Sequence, residues 1–274
     1  MNKIYSTAFL MGGLGNQMFQ IAHATAQSWK HGVDTMFYMD SEIQYPSWKP
    51  VMYVDNIFKK IPFTNQKINA HRVYEESWNT ANLNFVFDKT IEFYGYFQSS
   101  KNFTGYESNV KDLFYPDDSI YEKLSKKYPQ IMYENTLSVH IRRADYFNVS
   151  NILPVVDLTY INECIRLHGN YDYMFIFSDD KDWARNALSY ENSVVVDSLK
   201  TEEEMWLMSM CKHNVISNST FSWWGSYLNK NNDKKIYAPS IWFGPGGPSE
   251  YSNVYETYWN KIDVVYKEGR LIVA

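Results

Sequence analysis

The order strand, glycine loop, helix, strand at the start of the chain restricts its fold more than any other feature. Residues 4–10 carry the pattern of a short strand, and the loop 11–15 holds Gly12, Gly13 and Gly15. Residues 16–30 repeat at helical spacing and residues 35–39 read as the next strand. Two strands joined through a helix run parallel, so the spacing predicts an α/β fold built on a parallel sheet. Within that helix Met18, Ala22, Ala26 and Trp29 mark a buried face. Asn16, Gln20, His23, Gln27 and Lys30 form the opposite, polar stripe, which places His23 in solvent.

The second half repeats this grammar. Strands are expected at 136–142, 173–177, 194–196 and 215–217, and helices at 157–167, 182–188 and 220–228. A further helix begins at the capping-box spacing of Thr201 and Glu204 and runs through Met210. Residues 91–98 are strand-like, whereas 40–89 lose any period and are punctuated by Pro46, Pro50 and Pro62. A chain of 274 residues is long enough for two cores, and the stretch 115–127 reads as the way out of the first. The expectation is an N-terminal Rossmann-like domain over 1–130 and a C-terminal one over 131–274. The Gly- and Pro-rich run at 244–248 is a loop, and no internal repeat is present.

Charge and cysteine usage exclude several function classes. Lys and Arg number 26 against 31 Asp and Glu, a net charge of -5, so there is no broad footprint for nucleic acid or an anionic membrane. Any phosphate recognition must be local. Cys164 and Cys211 lack metal-ligand spacing, which indicates neither a disulfide framework nor a zinc site and fits a reducing compartment. The first strand is too short, and too soon interrupted by Gly12 and Gly13, for a signal segment or a membrane span; a cytoplasmic protein is expected. Aromatic residues make up 18%, and such rings suit stacking on sugars as well as core packing.

Three places carry phosphate-binding chemistry. In Val139-His140-Ile141-Arg142-Arg143-Ala144-Asp145, two adjacent arginines end an apolar strand, where cationic side chains need an anionic partner. A period of two puts His140 and Arg142 on one face and turns Arg143 to the other, toward a carboxylate such as Asp145. The plain alternative is an Arg–Asp pair closing a strand. The loop Gly12-Gly13-Leu14-Gly15-Asn16-Gln17 lets backbone N–H groups and a helix N-terminus approach an anion. It matches a dinucleotide fingerprint only partly, with Met18 at the third glycine position, and lacks the Lys-Ser/Thr of a P-loop. A tight turn without ligand is the alternative. Asn16 and Gln17 either cap the helix or hold sugar hydroxyls, and Asp40 is a candidate ribose acid. In Asn218-Ser219-Thr220-Phe221, hydroxyls at a helix start suit either phosphate oxygens or ordinary N-capping. Asp180-Lys181-Asp182 spells D-x-D, but aspartates ahead of a helix are favoured there without a metal.

Together these blocks resemble the α-1,2-fucosyltransferases of glycosyltransferase family 11. The likeness runs over nearly the whole chain, through residues 12–20, the H-x-R-R-x-D pattern in 139–146, Phe177-Ser178-Asp179-Asp180, and residues 208–225. The resemblance implies a GT-B-like architecture, two Rossmann-like domains facing across a cleft. It also implies GDP-β-L-fucose as donor, inversion at the anomeric carbon, no metal or other cofactor, and a glycan acceptor, a terminal β-galactoside fucosylated at O2. H-x-R-R-x-D is shared with α-1,6- and protein O-fucosyltransferases, so an α-1,6 linkage is the nearest alternative. By position, Arg142 holds the β-phosphate and stabilises the leaving GDP, and His140 helps seat the nucleotide. Ser219, Thr220 and Phe221 line the donor site, Gly13, Gly15 and Asn16 close over the donor from the other domain, and Asp179 meets ribose or guanine. Asp145 is the first candidate for the general base, with Asp40, Glu42 and a donor phosphate oxygen as rivals and an Arg143 salt bridge as its structural alternative. Two departures from the family pattern, Ala144 for Gly and Ser217 for Ala, bear on acceptor choice. The region 40–89, with Trp48 and Trp78, is expected to shape the acceptor site. A Rossmann-type oxidoreductase and a non-catalytic glycan-binding protein are the rival functions, and no spacing fixes the oligomeric state.

Overall fold

Two parallel sheets organise the chain, one in each of two compact units. The computed structural model describes residues 3–39, 49–75 and 86–274. Asp40, Glu42, Trp48 and Trp78 lie outside the described residues.

Unit 1 comprises Met1–Tyr115 and Glu250–Glu256. Its elements are β1 (Tyr5–Ala8), α1 (Leu14–His31), β2 (Asp34–Thr35), β3 (Phe37–Tyr38), β4 (Phe63–Thr64), β5 (His71–Tyr74), β6 (Ile91–Tyr94) and α2 (Glu107–Phe114). The main sheet has the order β2-β1-β6-β5 with every pairing parallel. The strand expected at 35–39 is two strands: β2 pairs with β1, while β3 leaves to pair with β4.

The middle of the polar stripe of α1, Gln20, His23 and Gln27, is buried, contrary to expectation, while Lys30 is exposed. Gln20 and His23 are 0% exposed, whereas Trp29, assigned to the buried face, is 36% exposed. The cause is the segment after β6, which covers the stripe and supplies partners that make burial of neutral polar groups tolerable. Gln20 Nε2 donates to the carbonyls of Gly95 (3.1 Å) and Met11 (3.3 Å), and its Oε1 accepts from the Met11 N–H at 2.9 Å. The His23 ring lies flat on Phe97, centroids 4.1 Å apart, and meets Phe93 edge-on at 4.6 Å. Burial lowers its pKa to about 3, so it is a neutral ring at pH 7.

Unit 2 comprises Pro116–Ser249 and Thr257–Ala274. It runs α3 (Asp118–Lys127), β7 (Thr136–Ile141), β8 (Val155–Val156), α4 (Leu158–His168), β9 (Tyr173–Ser178), α5 (Lys181–Ala187) and β10 (Ser193–Val195). Then follow α6 (Thr201–Met210), β11 (His213–Val215), α7 (Thr220–Tyr227), β12 (Ile236–Pro239), β13 (Asn260–Ile262), β14 (Val264–Lys267) and β15 (Arg270–Val273). The sheet order β10-β9-β7-β11-β12-β13 is parallel throughout, with β14-β15-β8 as a small separate sheet. β7 is buried at every position, and its Leu137, Val139 and Ile141 pack with Ile161, Ile176 and Val215. Helix α6 starts one residue earlier than its sequence suggests: Lys200 is the N-cap, and Glu203 accepts its N–H at 3.2 Å.

The α/β, GT-B-like class is as expected, but the division of the chain is not the expected 1–130 and 131–274. The first boundary lies between Tyr115 and Pro116 because α3 packs inside unit 2. There Lys123 pairs with Glu203, and the Tyr128 hydroxyl donates to the Asp197 carbonyl at 2.9 Å. Residues Glu250–Glu256 return to unit 1, where Lys101 Nζ donates to Asn253 Oδ1.

Candidate active site

In unit 2 the sheet order reverses between β7 and β11: β9 and β10 extend one side, β12 and β13 the other. Open α/β sheets meet their ligands outside the carboxyl ends of the strands at such a reversal. The loops that leave β7, β9 and β11 there carry Arg142 to Asp145, Asp179 to Asp180, and Ile216 to Ser219.

Arg142 is fixed by two carboxylates. Its Nε donates to Asp145 Oδ1 and one terminal nitrogen to Asp145 Oδ2, both at 2.8 Å, the fork geometry that a guanidinium makes with a carboxylate. Asp179 Oδ2 lies 3.2 Å from the same Nε. Asp179 also accepts the N–H groups of Arg143 (2.9 Å) and Ala144 (3.1 Å). Burial raises its carboxyl above the usual range, opposed by the Arg142 charge and these two N–H groups. Asp179, expected to meet ribose or guanine, thus spends its oxygens on the arginine loop.

Arg143 faces the other way and does not pair with Asp145, which corrects the expected salt bridge. Its Nε lies 3.2 Å from Asp180 Oδ2, and its guanidinium sits 3.9 Å from the Trp183 ring centroid and 4.6 Å from that of Phe147. Asp145, three residues after Arg142 and at the start of a 3-10 turn, is within reach of Arg142 instead. Asp180 also caps α5 through the Trp183 N–H at 3.1 Å, and Asp182 pairs with Arg185, so both aspartates of the D-x-D have protein partners. Among the described residues no three His, Cys, Asp or Glu side chains gather as a metal site.

His140 is 4% exposed, with Nδ1 2.8 Å from Ser217 Oγ and its ring 5.4 Å from that of Phe221. Burial, and then the Arg142 charge, lowers its pKa to about 3, so the fixed positive charge here is that of Arg142. Ser217, one of the two departures from the family pattern, therefore meets His140. Ala144, the other, has φ -54 and ψ -63, a conformation that needs no glycine. Tyr146 joins the two loops: its hydroxyl donates to the Asn218 carbonyl at 3.2 Å and meets the Ser219 side chain, and the Arg142 guanidinium is 5.9 Å from its ring. Burial pushes the phenol up to about 12, which keeps it a hydrogen-bond donor. Ser219 is the N-cap of α7 but makes no capping bond, so Thr220 and Phe221 open a helix start whose N–H groups are not capped by that side chain. Asn218 gives its Nδ2 to the Trp242 carbonyl at 3.0 Å, and its Oδ1 is buried without a hydrogen bond. Neither Tyr146 nor Asn218 was singled out by residue type; the position of Tyr146 just past the H-x-R-R-x-D was the available signal.

Gly13, Gly15 and Asn16 belong to unit 1 and form a group of their own. Gly13 is the N-cap of α1, Gly15 is buried in its first turn, and Asn16 Oδ1 accepts from Gln98 Nε2 at 2.9 Å. Gln17 gives its Nε2 to the Gly12 carbonyl at 2.9 Å, so it ties down the turn. Gln98, read as the end of a strand, was missed. No helix among the described residues is long and apolar enough to cross a membrane.

Comparison with known proteins places the chain among glycosyltransferases. The chain is 29% identical over 278 residues to an alpha-1,2-colitosyltransferase of Escherichia coli, covering 86% of this chain and 91% of that one. It is 32% identical over 171 residues to the O-antigen biosynthesis glycosyltransferase WbnK of E. coli, 57% of each chain. It is 27% identical over 161 residues to a galactoside 2-alpha-L-fucosyltransferase of Caenorhabditis elegans, 52% of this chain and 43% of that one. The fold is shared with solved structures of the fucosyltransferase NodZ from Bradyrhizobium, at TM-score 0.55 and 10% identity over 85% of this chain and 97% of that one. The sequence model of glycosyl transferase family 11 matches residues 2–263. With nearly its whole length matched, the chain belongs to glycosyltransferase family 11.

Proposed function

We propose that this glycosyltransferase moves L-fucose from GDP-β-L-fucose, with inversion, to O2 of a terminal β-galactoside. The observation that carries the reading is Arg142, a guanidinium held by Asp145 and Asp179 at the reversal point of a parallel sheet, beside the loop that opens α7. As the bond from the anomeric carbon to the diphosphate lengthens, negative charge grows on GDP and the sugar ring becomes oxocarbenium-like. A pre-positioned cation and helix N–H groups aimed at that charge lower the barrier without reorganising. Asp145 and Asp179 use one edge of the Arg142 fork and leave its remaining N–H groups for phosphate oxygens. Both Asp145 oxygens accept from the Arg142 guanidinium, so the role assigned to Asp145 is to hold Arg142. His140 seats the nucleotide as a neutral ring beside Phe221, Ser219 and Thr220 offer hydroxyls to the diphosphate, and Gly13, Gly15 and Asn16 contact the donor. With the cation built in, this reaction runs without a divalent ion or other cofactor. Two free, buried cysteines fit a cytoplasmic setting.

Family membership replaces the oxidoreductase alternative. The 1,2 linkage is supported by two relatives, one named an alpha-1,2-colitosyltransferase and one a galactoside 2-alpha-L-fucosyltransferase. The first also favours a second reading, a colitosyl donor, since that relative covers 86% of this chain. The two sugars differ by one hydroxyl, at C3. Mass spectrometry of reactions with GDP-fucose or GDP-colitose, chelator and a panel of β-galactosides, with linkage analysis, decides among these readings. A 1,2-linked fucosyl product is expected. Preferential colitosyl transfer selects the second reading, a 1,6 linkage overturns the acceptor assignment, and neither transfer nor donor binding overturns the donor.

A further inference from the structure

Unit 1 brings two loops together at the end of its own sheet. β1 and β6 are parallel neighbours, so the loops that leave these strands, residues 9–13 and 95–99, stand side by side at the carboxyl end of the sheet, where open α/β sheets meet their ligands. A pair of carboxamide side chains ties the second loop to the first turn of α1, which follows the first loop: Gln98 Nε2 donates to Asn16 Oδ1 at 2.9 Å. An asparagine amide has one acceptor end and one donor end, and which end faces outward depends on what holds the other. With its oxygen taken by Gln98, Asn16 keeps its NH2 toward Gly12, where a Cβ would come within 2.4 Å of Nδ2. Gly12, at φ 73, leaves that space open.

The backbone that leads into Gln98 is closely held, although the Gln98 Oε1 is itself buried without a hydrogen bond. It is 7% exposed and follows Phe97, an aromatic residue at φ 52, in the left-handed region that bulky side chains rarely adopt. Backbone strain of this kind persists only where surrounding contacts over-determine it, and it concentrates at functional sites. Here the contacts are several. The Phe97 ring is stacked on His23 at 4.1 Å, and its carbonyl accepts from Asn102 Nδ2 at 2.9 Å. The Glu75 carboxylate accepts the N–H groups of Tyr96 (2.7 Å) and Phe97 (3.1 Å). Gly95 permits that approach, since a Cβ there would lie 2.6 Å from Glu75 Oε2.

We propose that Gln98 is a positioning residue for donor binding: it holds the Asn16 amide with its NH2 presented to an oxygen of the sugar nucleotide, and the Glu75, His23 and Phe97 contacts serve to fix Gln98. The proposal rests on the reading of Asn16 as a donor-binding residue. Without the Gln98 donor, Asn16 is free to turn its own oxygen toward the ligand, replacing an attraction by a repulsion.

A double-mutant cycle tests it, with GDP-fucose affinity read by titration calorimetry on the full chain. Gln98→Met, which keeps the shape and removes the hydrogen bond, is expected to weaken binding about 10-fold in the native background, as for loss of one hydrogen bond to a charged group. In the Asn16→Ala background it is expected to change binding by less than about two-fold, because its effect runs through Asn16. An undiminished Gln98→Met effect in that background, or none in the native one, overturns the positioning role while leaving Asn16 as a donor contact. Native affinity in Asn16→Ala, or a wild-type chain that does not bind GDP-fucose, overturns the donor reading and this proposal with it. Should Gln98→Met fail to fold, Gln98→Glu completes the same cycle, since its carboxylate cannot donate to Asn16.

Discussion

The cluster around Arg142 and the stripe along α1 both gather polar groups against a parallel sheet, yet they hold them by opposite means. Around Arg142, full charges are matched by full charges: Asp145 and Asp179 on one arginine, Asp180 and two aromatic rings on the next. Along α1 the groups are neutral amides and an imidazole, held by backbone carbonyls and by stacking, with Gln27 Oε1 left without a hydrogen bond. Charge suits a site that must meet a developing anion. Neutral polarity suits a site that must orient a ligand without competing for that charge.

The strongest way to break this contrast is Arg142→Ala. Loss of a fixed donor at a developing negative charge is expected to lower kcat about 10²- to 10³-fold, checked by initial rates of transfer from GDP-fucose. Near-native turnover would remove the charged cluster from the chemistry.

Acid probes one buried imidazole in each region. His23 and His140 are each lowered to about 3 in the folded chain, against 6.5 as the ordinary value. The unfolded chain therefore takes up these protons first, so their full contribution to stability is present above pH ~6.5 and is lost as pH falls toward 3. Each ring contributes a slope of about 1.4 kcal/mol per pH unit inside that window. Urea unfolding between pH 4 and pH 7 measures it, and His23→Phe, which keeps a stacked ring, should remove one share of the slope. An unchanged slope in that variant would show that His23 accepts a proton without leaving its place.

A smaller effect separates two roles for Asp145. As a holder of Arg142, Asp145→Asn is expected to cost about 10-fold in kcat, because the amide still accepts one N–H. As the general base it would cost about 10² to 10⁴, so the rate with one acceptor at saturating donor distinguishes the two. Smallest of all is Arg166→Ala, which removes an exposed pair with Glu163 on α4 and should leave both Tm and turnover unchanged.

How much of this was legible follows the same line. The parallel sheets, α1 and the arginine strand were all readable, because period and glycine placement are local signals. The partner of Arg143 was not: its Asp180 follows β9, and the register that sets Ile141 against Ser178 is a tertiary fact. The stripe on α1 was misread because the backbone that covers Gln20 lies 75 residues away, at Gly95. An amide-rich helix face looks solvent-exposed until its cover is known. The unit boundary was placed late because no change in composition marks Tyr115, and α3 reveals its allegiance only through contacts such as Lys123 with Glu203.

The return of Glu250–Glu256 to unit 1 bears on synthesis and on exchange. Folding on the ribosome usually proceeds domain by domain from the N-terminus. Here unit 1 stays incomplete until nearly the whole chain has emerged, with Lys101 waiting for Asn253. The chain changes units at 115/116, 249/250 and 256/257. A gene fusion that grafts the first unit of one relative onto the second unit of another therefore takes three junctions, and a single crossover at Tyr115 leaves a mosaic whose first unit borrows its closing segment from the wrong parent.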